Sequence, residues 1–97
     1  MLTQKQKDIP HIAVFKTNSG EEFIAKVVDE TIMAFSVEKP LCMVPTDGGL
    51  RFAPFIMMAD PDKVINVPKP IITGTPLGKL EEQYQQSISS IALPRRT

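Results

Sequence analysis

Ninety-seven residues leave room for one domain with a thin core. Apolar residues form 42% of the chain, which argues against disorder, and nine prolines argue against long helices. Eleven basic and eleven acidic residues cancel, so no whole-molecule field draws the chain to nucleic acid or anionic lipid, and any basic binding surface has to be local.

Residues 2–8 predict one or two helical turns that end before Pro10, because a proline biases the preceding residue away from the helical region. His11 to Lys16 reads as a strand, and Asn18-Ser19-Gly20 as the turn after it. Residues 21–28 form a second strand with Phe23, Ala25 and Val27 on one apolar face and Glu22, Ile24, Lys26 and Val28 on a mixed one. Asp29-Glu30 is the expected hairpin break. Residues 31–38 alternate again, with Met33, Phe35 and Val37 on one side and Ile32 and Ala34 keeping the other apolar.

Pro40 interrupts, residues 41–44 continue extended, and Thr46-Asp47-Gly48-Gly49 is a loop. Residues 50–59 form a fourth strand rich in large apolar side chains, including Phe52, Phe55, Ile56, Met57 and Met58. Pro54 inside it cannot donate to a ladder, which places the strand at an edge or at a bulge. Asp60-Pro61-Asp62 is a turn, residues 63–67 form a short fifth strand, and residues 71–73 continue it after Pro68 and Pro70. The alternation predicts burial of Phe23, Ala25, Val27, Met33, Phe35, Val37, Phe52 and Ile56.

The period then changes. Leu77, Leu80, Tyr84, Ile88 and Ile91 recur at helical spacing and predict a helix over 76–92. Thr75 can cap it, Pro76 suits its first position, and Glu81 and Glu82 fall in its early turns. Arg95-Arg96-Thr97 reads as a tail. The polar side of the helix is rich in Gln and Ser rather than Lys and Arg, which disfavours a lipid surface. No secretory signal or membrane span is expected, and the lone Cys42 fits a reducing compartment, so the expected location is cytoplasmic.

Catalytic chemistry finds little support. His11 is the only histidine and Cys42 the only cysteine, so no ordinary Cys/His metal set can form. A Cys–His nucleophile pair would need two strand residues to converge; a small buried apolar Cys42 and a polar His11 at a strand start are the simpler reading. The acidic pairs Glu21-Glu22, Asp29-Glu30 and Glu81-Glu82 are adjacent in sequence and make no carboxylate dyad. Asp60 and Asp62 read as a solvated turn rather than a metal site. Gly48-Gly49 has no Lys-Ser/Thr after it and opens no helix, so it is no phosphate loop. The expectation is a non-enzyme with no cofactor and no metal.

The order of elements carries a resemblance. A short N-terminal helix, five short antiparallel strands in one strongly bent sheet and a C-terminal helix resemble the Sm-like family. Val14-Phe15-Lys16-Thr17-Asn18-Ser19-Gly20 looks like the end of that family's first strand and its Gly turn. Ala25 stands where the family usually has a Gly, Asp29 stands for its Asp before the third strand, and Ile32-Met33-Ala34 replaces its Met-Asn pair. Val67-Pro68-Lys69 approximates the second motif, with Lys69 as the basic residue and the Gly lost. Val37-Glu38-Lys39-Pro40-Leu41, Pro54-Phe55-Ile56-Met57-Met58 and the Tyr84-bearing helix are similar to the small Sm-like proteins carried by cyanophages. The resemblance covers residues 10–86.

It implies one Sm-like domain over 1–97, with its core over 10–75 as a small open barrel. It implies a homo-oligomeric ring of roughly five to seven subunits. The implied ligand is single-stranded RNA, met at the pore by Asp29, Thr31, Met33, Pro68 and Lys69 in a binding or chaperone-type role. For a phage protein the location is the host cytoplasm. The alternative is a protein-only scaffold or adaptor of phage origin that kept the ring and lost the RNA site. Zero net charge, the missing Met-Asn pair and the lack of Arg in the loops facing the pore favour that alternative; the family resemblance favours RNA.

Overall fold

The computed structural model describes residues 9–56, 58–60 and 62–92, with side chains through residue 89. The protein is mostly β. Among the described residues six strands run in one antiparallel sheet: β1 His11–Lys16, β2 Glu22–Glu30, β3 Ala34–Thr46, β4 Gly49–Pro54, β5 Ile65–Pro68 and β6 Ile72–Gly74. One helix, α1 Gly78–Ala92, follows them. The sheet order is β4-β3-β2-β1-β6, and β5 pairs with β3. The expected N-terminal helix over 2–8 and the tail over 95–97 lie outside the described residues, as does Met57.

The first hairpin matches its sequence signal. Thr17 N–H donates to Glu21 O at 2.8 Å and Gly20 N–H to Thr17 O at 3.0 Å, with Gly20 at φ 96°, a conformation that suits glycine. This turn sets the register Phe15 opposite Phe23 and Ala13 opposite Ala25. The paired faces then bury together with Val27, Phe35, Val37 and Val67 as the main core. Phe15 stacks on Phe23 at 5.1 Å between ring centres and meets Phe35 edge-on at 5.2 Å, and Phe55 stacks on Phe23 at 4.5 Å.

The opposite face of the sheet is also covered. Ile24 and Leu41 are cross-strand partners and bury beneath Tyr84 of α1, with Ile12, Val14, Phe52, Leu80 and Ile88 around them. The helical stripe thus packs on its own sheet. Its first member, Leu77, precedes the helix and is exposed, because α1 begins at Gly78 rather than at Pro76.

Strand β3 organises the bend. It continues without a break through Pro40, where the sequence predicts an interruption. Its first half, Ala34 to Val37, pairs with β5, and its second half, Leu41 to Thr46, pairs with β4. Between them Lys39 adopts φ 50°, the only described non-glycine with positive φ, and Lys39 and Pro40 have no opposite residue in the ladder with β2. Proline is tolerated there because no amide donor is required at that point. The Pro40 carbonyl is used by Phe55 N–H at 2.9 Å. The expected loop over 46–49 is a tight hairpin with only Asp47 and Gly48 between β3 and β4, closed by Thr46 Oγ1 donating to Gly49 O at 2.7 Å.

Five expectations are corrected. The hairpin break falls at Thr31–Met33 and not at Asp29-Glu30, since β2 carries two register shifts and extends through Glu30. Met33, expected in the core, therefore sits in the turn and is 74% exposed. Ile56, also expected in the core, is 42% exposed because the fourth strand ends at Pro54 and the chain turns away. Phe52 is half-buried and faces α1 rather than the main core. The interrupted segment expected as one fifth strand is two strands, β5 on β3 and β6 on β1. These two do not pair with each other, so the sheet is not closed.

Candidate functional site

The turn after β2 is built by Thr31. Its backbone N–H donates to Ala34 O at 2.8 Å, and its hydroxyl accepts the N–H groups of Met33 at 3.2 Å and Ala34 at 3.1 Å. The side chain replaces backbone partners that the tight turn cannot supply. The turn leaves Ile32 and Met33 pointing into solvent. Just before it, Asp29 Oδ1 accepts the N–H of Glu30 at 2.8 Å.

Strand β5 delivers the second half of the site. Pro68 lies opposite Ala34 and Val67 opposite Phe35, and Lys69 N–H donates to Met33 O at 2.9 Å. The stretch Asp29–Met33 and the pair Pro68-Lys69, far apart in the chain, thus meet at one end of the sheet. Pro68 is exposed and Lys69 half-buried.

The chemistry at this end differs from a bare basic loop. Lys69 Nζ donates to Glu30 Oε2 at 2.7 Å, and the two side chains are 27% and 22% exposed. The same ammonium lies 4.6 Å from the centre of the Phe35 ring. Glu30 is the ladder partner of Phe35, and Phe35 that of Val67, so Glu30 shares the core-facing side of the sheet at its rim. Lys69 and Glu30 close that rim over the Phe35 ring.

Glu30 and Phe35 were not among the expected site residues. The sequence places Glu30 in the break, which hides its strand position; the register shifts that carry β2 past Asp29 leave no sequence pattern of their own. Phe35 was read only as core, and its ring face toward the cation follows from the path of β5.

His11 lies opposite Val27 on β1, whereas Cys42 on β3 is adjacent to Leu41, which lies opposite Ile24; β2 runs between them, and they form no pair. Among the described residues no group of three or more His, Cys, Asp or Glu is placed to hold a metal ion, and no helix is long and apolar enough to cross a membrane. No protein-family model and no curated protein matches the chain.

Proposed function

We propose that this protein is a non-catalytic, Sm-like, ring-forming protein that binds single-stranded RNA at the end of the sheet where the β2–β3 turn meets the exit of β5. The observation that carries this reading is the convergence of Thr31–Met33 with Pro68 and Lys69, held by the Lys69 N–H to Met33 O bond. The turn offers exposed Ile32 and Met33 for apolar contact with base faces, and Lys69 is the local cation.

The strand edges support the assembly. Among the described residues β4 pairs with β3 alone, and β5 pairs with β3 alone, so each presents an outer edge to a further strand. Setting β4 of one subunit beside β5 of the next would use both edges in one repeated contact that can close as a ring, and the Sm-like resemblance implies about five to seven subunits. Pro54 and Pro68 lack N–H donors, so the shared ladder is short and side-chain packing has to assist it. A ring also repeats each Lys69 around a common pore.

A protein-only scaffold is the second reading. It is favoured by the Glu30–Lys69 pair and by the nearby Asp29, which give this end two carboxylates to one ammonium. Fluorescence anisotropy of labelled uridine-rich and adenine-rich oligonucleotides at low salt separates the two. Binding that weakens as salt rises supports the RNA reading. No binding by an intact oligomer leaves the scaffold.

A further inference from the structure

We propose that Glu30 is an electrostatic gate on this site: it occupies the Lys69 ammonium and sets how strongly the site takes an RNA phosphate. The proposal rests on the RNA-binding reading and adds a residue that governs it.

The geometry gives Lys69 two partners already. Its Nζ is 2.7 Å from Glu30 Oε2 and 4.6 Å from the Phe35 ring centre. A charge-assisted contact this short is among the stronger polar interactions. Both side chains are about three-quarters shielded from solvent, so water screens the pair less than it would at an open surface.

The backbone around Lys69 is also fixed. Its N–H is bound to Met33 O, and Pro68 before it lies in the ladder opposite Ala34. The ammonium can therefore change partner only by side-chain rotation, and an incoming phosphate has to compete with the Glu30 carboxylate. Asp29 does not stand in for Glu30, because the two are consecutive ladder residues, opposite Ser36 and Phe35, and their side chains leave opposite faces of the sheet. Removing the Glu30 charge while keeping its shape releases the positive charge of Lys69 toward the ligand. In a ring this change is repeated in every subunit.

The test compares the full-length parent with Glu30→Gln, Lys69→Met and the double variant. Each is titrated with a short uridine-rich oligonucleotide over a series of salt concentrations, with oligomer mass and melting temperature as checks on folding. Glu30→Gln is expected to bind about tenfold more tightly, a change of about 1.4 kcal/mol. Its plot of log affinity against log salt should be steeper by about 0.7 for each phosphate newly engaged. Lys69→Met in the Glu30→Gln background should abolish both gains. If Glu30→Gln does not fold, Glu30→Asp keeps the charge but draws it back from Nζ, and should show a smaller gain in the same direction. A parent that binds while the Glu30 variant matches it in affinity and slope overturns the gate and leaves the RNA reading standing. No binding by any folded variant at low salt overturns both.

Discussion

The phenol of Tyr84 donates a hydrogen bond of 2.7 Å to the carbonyl oxygen of Lys39, the residue at the bend of β3. Lys39 lies between the two halves of its strand and has no ladder partner in β2, β4 or β5. The helix supplies a donor for its carbonyl instead. Tyr84 is fully buried, packed against Ile24 and Leu41 and edge-on to Phe52 at 6.0 Å. One side chain thus fastens α1 to the sheet and satisfies the bend.

Tyr84→Phe keeps the packing and removes the hydroxyl, leaving the Lys39 carbonyl without that donor. It should cost about 1 kcal/mol. Tyr84→Ala also empties the centre of the second core and should cost about 3–5 kcal/mol. Urea titrations of both variants check the ratio. Equal losses would mean that the hydroxyl, not the ring, dominates the contact.

The same residue predicts an alkaline limit. Burial raises the Tyr84 pKa well above its ordinary value; a backbone amide at Lys26 partly offsets this and the Glu38 carboxylate adds to it. A group whose folded pKa is raised stabilises fully below its unfolded pKa, about 10 for tyrosine. That contribution is lost progressively as pH rises above this value. The difference in stability between the parent and Tyr84→Phe should therefore be constant from pH 7 to 9 and shrink at higher pH. A constant difference through pH 11 would contradict the assignment.

Phe35 joins the main core to the candidate site. Phe35→Ala should destabilise by about 3–5 kcal/mol and take the cation–ring contact of Lys69 with it. Met33→Ser, in the exposed turn, should change stability by no more than about 0.5 kcal/mol. Thermal melts of the two variants test the corrected boundary of the β2–β3 hairpin, because a strand starting at residue 31 would make Met33 a core residue.

Thr31→Ala removes the hydroxyl that accepts from two turn amides and should cost about 1 kcal/mol. Thr31→Ser should recover most of it. If Ser does not rescue, the threonine acts through its methyl group, and the hydrogen-bond account of the turn fails.

The parts of the fold that alternate cleanly were legible in the sequence. His11–Lys16 is a strand with the predicted bounds, and Phe23, Ala25 and Val27 share one buried face because a period of two leaves no other register. The helix was visible in the spacing of Leu80, Tyr84 and Ile88. The bends were not. Register shifts in β2 carry no residue signature, so Glu30 passed for a turn and Met33 for core. Pro40 passed for a break because its tolerance depends on where the neighbouring ladder has no bond to make. For the candidate site, the sequence marks the stretch Asp29–Met33 and the pair Pro68-Lys69, but not the Glu30 carboxylate that binds Lys69. Pairing Lys69 with Glu30 requires two strands that join only through β3.

Native mass spectrometry of the full chain, sprayed from low salt with a short uridine-rich oligonucleotide, tests the central claim most directly. The account predicts one dominant closed oligomer of about five to seven subunits, carrying bound oligonucleotide that is shed as salt rises. A monomer without oligonucleotide would contradict it.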